Sequence, residues 1–202
     1  NLVALLEEKG ADGIDLNFEA VPKGYGKKMT YFIRDLSRAL KAKDKHYLLS
    51  VILPKLDPYG IYEVDSLQRH VDLFIVTGYD FYTGVSRSDG PVAPLRMWEG
   101  AYSIENTVFP YLEKGLDRKK ILLGLPYYGT AWASEDDLPF QRGNIFDRHI
   151  TYREIRSGLV EDRLVRYDSL SWSAFAVIPS EGHDATGSWQ ASQYPYLKIW
   201  FD

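Results

Sequence analysis

The sequence has no cysteine, only two methionines and only four histidines among its 202 residues. The absence of cysteine excludes disulfide bonds and thiolate metal ligands, although it says little about the compartment. The histidines are scattered, without the short spacing of a metal-binding motif, and the glycines form no phosphate-binding loop. We therefore expect neither a metal site nor a cofactor. The histidines are His46, His70, His149 and His183.

Long apolar runs and clusters of basic residues are also missing. No apolar stretch approaches the roughly 18 residues that a membrane-spanning helix needs. The opening segment, NLVALLEEKG, has the pattern of a helix and not of a signal peptide. Lys and Arg number 24 against 28 Asp and Glu, and the net charge is -4. Because phosphate binding needs clustered Lys and Arg, we expect no nucleic-acid partner. Because no apolar run is long enough, we also expect no membrane span.

Aromatic residues are abundant, with 15 Tyr, 9 Phe and 5 Trp. Aromatic faces stack on sugar rings, but they also fill protein cores, so composition leaves both roles open. Apolar residues make up 45% of the chain and charged residues 26%, the balance of a globular domain with its own core.

Strand-like and helix-like segments alternate from residue 1 to about residue 127. This order predicts a parallel sheet with crossover helices. After about residue 130 the pattern changes to mixed polar and aromatic residues, which predicts a small α+β insertion. The expected helices are one that ends at Gly10 and those at 27–42, 62–70 and 103–114, and the expected strands are 13–19, 46–53, 71–79, 120–126, 163–168, 172–178 and 196–201.

The segment DGIDLNFE, residues 12–19, alternates apolar and polar residues with the period of a strand. Asp15, Asn17 and Glu19 therefore share one face. In a parallel barrel that face points inward, and the row climbs toward the end where active sites lie. Neighbouring carboxylates raise one another's pKa, as a general acid requires. The alternative is an exposed edge strand with a solvated polar face.

DGIDLNFE resembles the DxxDxDxE signature of family 18 glycoside hydrolases, which cleave β-linked N-acetylglucosamine polymers such as chitin. The resemblance implies that Glu19 is the proton donor, Asp15 the middle aspartate and Asp12 the first, near the substrate. It also implies a retaining mechanism in which the substrate's own acetamido group is the nucleophile. Asn17 stands where the family usually has Asp. An amide accepts a hydrogen bond but carries no negative charge, so we expect slower turnover, another substrate, or sugar binding without catalysis.

The segment TGYDFY, residues 77–82, is similar to the family's MxYD segment on the sixth barrel strand, with Thr77 in the Met position. The resemblance implies that Tyr79 donates its hydroxyl group to the acetamido carbonyl. It implies that Asp80 bonds to the sugar or the acid, and that Tyr82 contacts the substrate. A Tyr-Asp pair that merely ends a strand is the alternative.

Two further segments, GPVAPL at 90–95 and LLGLPYYGTAW at 122–132, resemble family motifs. The second is similar to the seventh-strand motif and implies that Tyr128 and Trp132 line the sugar groove. Trp98 is another candidate sugar platform. Core packing is the alternative for both tryptophans.

Taken together, the matches imply an α/β fold, a partial (β/α)8 barrel of strands four to seven with a small α+β insertion. Residues 1–130 are assigned to the barrel and 131–202 to the insertion and the start of the return to the barrel. The TYREI segment at 151–155 resembles the insertion. Strands one to three, strand eight and its Trp would belong to other parts of a longer chain. An open doubly wound sheet is the alternative fold.

The expected function is hydrolysis of a polysaccharide or oligosaccharide containing β-linked N-acetylglucosamine, such as chitin, peptidoglycan or an N-glycan core. The substrate class implies an extracellular or periplasmic location. A non-catalytic carbohydrate-binding member of the same fold is the main alternative, and an unrelated βα enzyme is a third.

Overall fold

The structure is a computed structural model that describes residues 1–18, 20–98, 100–179 and 194–201. The chain forms two compact units. The first comprises Asn1–Thr77 and Thr107–Gly124, and the second Gly78–Asn106 and Leu125–Asp202. The domain assignment with a boundary at residue 130 stays a prediction.

The first unit contains a parallel sheet of four strands in sequential order. The strands are β1 (Gly13–Leu16), β2 (Leu48–Leu53), β3 (Leu73–Thr77) and β4 (Ile121–Gly124). The parallel sheet predicted from the alternation of strands and helices is therefore confirmed. The strands are shorter than predicted because pairing stops before the flanking residues, so Val71 and Lys120, for example, lie outside them.

Helix α1 (Leu2–Lys9) corresponds to the helix expected at the start of the chain, and helix α2 (Gly26–Lys43) to the one expected at 27–42. Gly10, at φ 62°, ends α1 in the left-handed region that glycine tolerates. The buried face of α2 includes Ile33 and Leu40, both fully buried. Phe32 is 42% exposed, because it lies one position, about 100°, from Ile33 on the helix.

Two shorter helices are α3 (Val64–Leu67) and α4 (Ile104–Glu113), and the residues of α4 are divided between the two units. The first unit's core is a single apolar cluster that includes Leu49, Val51 and Leu53 of β2. Within the described ranges, no helix combines the length and the apolar character needed to cross a membrane.

The second unit contains an antiparallel sheet of five strands, which are β5 (Tyr128–Ser134), β6 (Ile145–Thr151), β7 (Val165–Asp168), β8 (Ser173–Pro179) and β9 (Tyr196–Phe201). Their order in the sheet is β6-β5-β9-β8-β7. The predicted strands at 163–168, 172–178 and 196–201 are present, whereas β5 and β6 were not predicted. A short helix, α5 (Tyr152–Glu154), follows β6.

Candidate active site

The carboxylate segment begins on β1, where the side chain of Asp15 is exposed and Leu16 is buried. Ser50, its register partner on β2, donates its hydroxyl to Asp15 Oδ1 at 2.5 Å. Asn17 follows the strand and is also exposed. Glu19 lies outside the described residues, so its predicted role stays a prediction.

Phe18, the last described residue before Glu19, is 37% exposed and packs edge-on against Phe32, with ring centroids 6.1 Å apart. Its carbonyl oxygen accepts a hydrogen bond of 3.1 Å from the hydroxyl of Tyr62. Tyr62 is almost fully buried, and this burial raises its pKa, with a smaller contribution from Asp57. No sequence motif indicates Tyr62, because its hydrogen bond joins it to a residue 44 positions away along the chain.

Gly13 explains part of the DGID sequence by packing alone. A β-carbon at Gly13 would overlap the carbonyl oxygen of Leu48 on β2. The adjacent Asp12 is exposed, and its carbonyl oxygen accepts a 2.9 Å bond from the Leu48 amide. Close pairing of β1 and β2 therefore requires glycine at this position. The predicted substrate contact of Asp12 stays a prediction.

Tyr79 and Asp80 follow β3 and belong to the second unit. The Tyr128 hydroxyl donates a hydrogen bond of 2.6 Å to Asp80 Oδ1. Burial, followed by this bond to Asp80, raises the pKa of Tyr128 well above its ordinary value. Tyr128 is therefore a stable donor, and two residues from separate predicted motifs are in direct contact.

The backbone of Asp80 is in the left-handed region, at φ 58°. Most residues with a side chain avoid this conformation, aspartate and asparagine less than others, and residues held in it are concentrated at functional sites. Tyr79 is half-buried.

The remaining predicted aromatic residues differ in exposure. Tyr82 is half-buried, and burial followed by Asp89 raises its pKa. Trp98 is 52% exposed and contacts Phe140 edge-on, with centroids 5.8 Å apart. Trp132 is 1% exposed and packs against Phe146 in the core. In this structure Trp132 is packed in the core, as the alternative describes, whereas Trp98 is half exposed and its sugar contact stays a prediction.

A cavity in the second unit has a volume of about 610 Å³, and none of the predicted site residues lines it. It therefore does not define the candidate site. Within the described residues there is no group of three or more His, Asp or Glu side chains arranged to hold a metal ion. The cavity is lined by Ala93, Leu95, Ile104, Leu125, Pro126, Tyr127, Tyr152, Tyr167, Trp172 and Ala174.

The comparison with protein families defines the class of this protein. The model of glycosyl hydrolases family 18 matches residues 1–201, and the chain belongs to this family. The resemblance seen in the sequence is thereby confirmed.

Individual relatives show how much of such a protein the chain represents. It is 29% identical to mouse chitotriosidase-1 over 157 residues, 67% of this chain and 33% of that protein. The Group IV chitinase of Ostrinia furnacalis superposes with a TM-score of 0.78 at 19% identity, over all of this chain and 58% of that one. The chitinase-like agglutinin of Robinia pseudoacacia gives 0.79 at 20% identity, over 99% and 58%. The chain thus spans about a third of the curated relative's length, and the two solved structures show the fold alone.

Proposed function

We propose that this protein hydrolyses β-linked N-acetylglucosamine polymers, with Glu19 as the general acid. The observation that carries the proposal is a glutamate at the acid position of the family signature, in a family of glycosidases. In the described part of the signature Leu16 is buried, whereas Asp15 is exposed and accepts a hydrogen bond from Ser50.

The proposed reaction has two steps. First, Glu19 gives its proton to the glycosidic oxygen while the acetamido carbonyl oxygen attacks the anomeric carbon, so that the glycosidic bond breaks and an oxazolinium ion forms. Water then attacks the anomeric carbon while the bond between that carbon and the acetamido oxygen breaks. A proton of the water returns to Glu19, the acetamido group is restored, and the anomeric configuration is retained. Asn17 and Tyr79 orient the acetamido group. Asp15 and Asp80 bind the distorted sugar and tune the acid.

We infer that the four-stranded sheet represents strands four to seven of a (β/α)8 barrel. In the described chain, β1 and β4 each pair on one side only. Two leucines of β4, Leu122 and Leu123, are 48% and 41% exposed. An unpaired edge with exposed apolar side chains is unfavourable in water, so further strands are expected beside it. The solved relatives extend well beyond the part that this chain covers.

The partner of this site is a polysaccharide or oligosaccharide, and we propose an extracellular or periplasmic location because such polymers lie outside the cytoplasm. A second candidate function is sugar binding without hydrolysis. Asn17 favours it, because an amide does not stabilise the positive oxazolinium ion as a carboxylate does, and a structural relative is described as an agglutinin.

The decisive experiment compares Glu19→Gln with the wild type in the whole protein. Rates on chitooligosaccharides, peptidoglycan and N-glycans identify the substrate. Glu19→Gln should then lower kcat by about 10²–10⁴-fold, the usual contribution of a general acid, and leave oligosaccharide affinity largely unchanged. Glu8→Gln, at an exposed position on α1, is the matched control.

An unchanged rate in Glu19→Gln would refute the assignment. A wild type that binds oligosaccharides without cleaving any of the three substrates would support the sugar-binding alternative. Inhibition by a thiazoline tests the mechanism separately, because this mimic of the oxazoline binds tightly only if the acetamido group takes part.

A further inference from the structure

Asp89 lies in the loop between β3 and α4, and its side chain is completely buried. Oδ1 accepts bonds from the Gln141 amide at 2.8 Å and from Asn144 Nδ2 at 2.7 Å. Oδ2 accepts a bond of 2.8 Å from Trp200 Nε1, and the buried Lys198 ammonium is 3.8 Å from Oδ1. One side chain thus connects its loop to β9 and to the segment before β6.

This arrangement is costly, since a buried carboxylate loses its hydration and must recover it from several well-placed donors. The partners of Asp89 are 52 to 111 residues away along the chain. None of the roles proposed above uses Asp89. A buried carboxylate with this many partners is explained if its hydrogen bonds fix the position of another segment of the protein.

The loop that Asp89 anchors is the one that begins with Asp80. The Phe81 amide donates to the Val92 carbonyl at 3.1 Å and closes the loop. Gly90, next to Asp89, lies against the ring of Tyr82 so closely that a β-carbon would be 2.5 Å from ring carbons. The position of Asp89 is thereby transmitted through Gly90 and Tyr82 to the residues that follow Asp80.

Asp80 needs such support. Its backbone is in the left-handed region, which few non-glycine residues adopt although aspartate does so more readily than most, so neighbouring contacts help to hold it there. The 2.6 Å bond to Tyr128 depends on that backbone, because a hydrogen bond weakens steeply when donor and acceptor move out of line.

We propose that Asp89 is a positioning residue: its buried carboxylate holds the loop that carries Asp80 in the conformation that pairs Asp80 with Tyr128. The inference rests on the proposed function, because the Asp80–Tyr128 pair is taken there to act on the substrate. It predicts that Asp89 affects turnover through Asp80 and by no separate route.

A double-mutant cycle in the whole protein tests this inference. Asp89→Asn should lower kcat by about 10–100-fold, the order of loss that a small misplacement causes, with little change in KM. The matched control is Asp168→Asn, at a partly buried carboxylate of the second unit that accepts bonds from the Ser171 amide at 2.7 Å and hydroxyl at 2.5 Å. Thermal unfolding of both variants shows whether they lose the same stability, so that a difference in kcat is not a difference in folding.

The cycle is completed with Asp80→Asn alone and with the double variant. If Asp89 acts through Asp80, the double variant should be no slower than Asp80→Asn by more than about twofold, because coupled sites are not additive. Trp200→Phe removes one donor to Asp89 and keeps the ring, so it should give a smaller loss with the same non-additivity even if Asp89→Asn does not fold.

Losses that multiply across the cycle, or a kcat for Asp89→Asn equal to that of Asp168→Asn, would overturn the inference while leaving the proposed function intact. The proposed function fails on a different result, an unchanged rate in Glu19→Gln. If the protein binds sugar without cleaving it, the same cycle is measured in Kd, and additive losses again overturn the inference.

Discussion

The two units of this protein distribute their polar side chains in opposite ways. In the first unit, the buried polar residues among those described are Ser37 and Thr107, and the core is one apolar cluster. In the second unit, the described interior includes a carboxylate and an ammonium group. The buried polar residues there are Asp89, Ser103, Thr130, Ser134, Ser171, Ser173 and Lys198.

This difference shows two ways of specifying a sheet. Apolar burial is non-directional, so the first unit tolerates exchanges of similar volume in its core. Buried charges are directional and costly when a partner is lost, so the second unit depends on particular pairs. Specific pairing of this kind is useful where a loop must be held in an unfavourable conformation, as at Asp80.

The largest expected effect is on stability, and it differs between a lysine variant in the second unit and one in the first. Lys198→Met removes a buried ammonium group that is 3.1 Å from Asp136 and 3.8 Å from Asp89. It should lower the free energy of unfolding by about 3–5 kcal/mol, the cost of leaving a buried charge without its partner. Urea unfolding followed by circular dichroism gives the value.

The control for this prediction is Lys41→Met in the first unit. Lys41 forms an ion pair of 3.0 Å with Asp72, and both side chains are about one-third exposed. Its loss should cost about 1 kcal/mol, as for partly solvated pairs. Equal losses for the two lysines would contradict the comparison.

The next effect concerns activity. Tyr128→Phe removes the 2.6 Å hydrogen bond to Asp80, and bonds to charged groups contribute about 1.5–3 kcal/mol. We expect kcat/KM on the preferred oligosaccharide to fall about 10–100-fold. Tyr102→Phe, at an exposed tyrosine in the same unit, should leave the rate unchanged. Similar rates for the two variants would remove Tyr128 from the site.

The sequence predicts the first unit well because its signals are local. Helix α2 was expected at 27–42 and is found at Gly26–Lys43, since the spacing of Ile33, Leu36 and Leu40 is contained within the helix itself. The same holds for β2, where alternate residues are fully buried. The predicted strands were too long because hydrophobic residues continue beyond the last paired residue.

The sequence does not predict β5 and β6, for a physical reason. Six consecutive residues of β5, from Gly129 to Ser134, are buried, so the strand shows no alternation. A register shift between Ala131 and Trp132 further obscures its pairing with β6. Only the partner strands reveal such a segment.

The same distinction applies to the candidate site. Residues within a motif, such as Tyr79 and Asp80, were proposed from the family resemblance. Tyr62 and Asp89 were not proposed, because each forms its hydrogen bonds with distant segments of the chain. The Asp80–Tyr128 contact joins two predicted residues 48 positions apart, which motif matching alone does not show.

A smaller effect is expected for Asn17→Asp, which sharpens the role of the first unit. A carboxylate at this exposed position should stabilise the positive charge that develops on the substrate, as the usual family residue does. We expect kcat on an acetylated chitooligosaccharide to rise about tenfold, or roughly 1.4 kcal/mol of the barrier. Asn106→Asp is the control. A fall in kcat would indicate that Asn17 is adapted to another substrate.

The smallest effect concerns a local feature of the second unit. Glu154 accepts bonds from the Thr151 hydroxyl at 2.7 Å and amide at 2.8 Å, and from Arg148 at 2.9 Å. The Thr151 side-chain bond, followed by the Thr151 amide and Arg148, lowers the Glu154 pKa to about 2. Because the folded pKa lies below the ordinary value of 4.5, its stabilisation is present above pH 4.5 and is lost as the pH falls toward 2.

Glu154→Gln should therefore lower Tm slightly at pH 7, and the difference from the wild type should shrink as the pH falls below 4.5. Thermal unfolding at several pH values measures it, with Glu135→Gln, at an exposed position of the same unit, as the control for loss of a charge. The effect is small because the carboxylate is largely solvated. A pH-independent difference would show that the Thr151–Glu154 contacts act through packing, which would make this end of β6 resemble the apolar first unit more than the charged interior beside it.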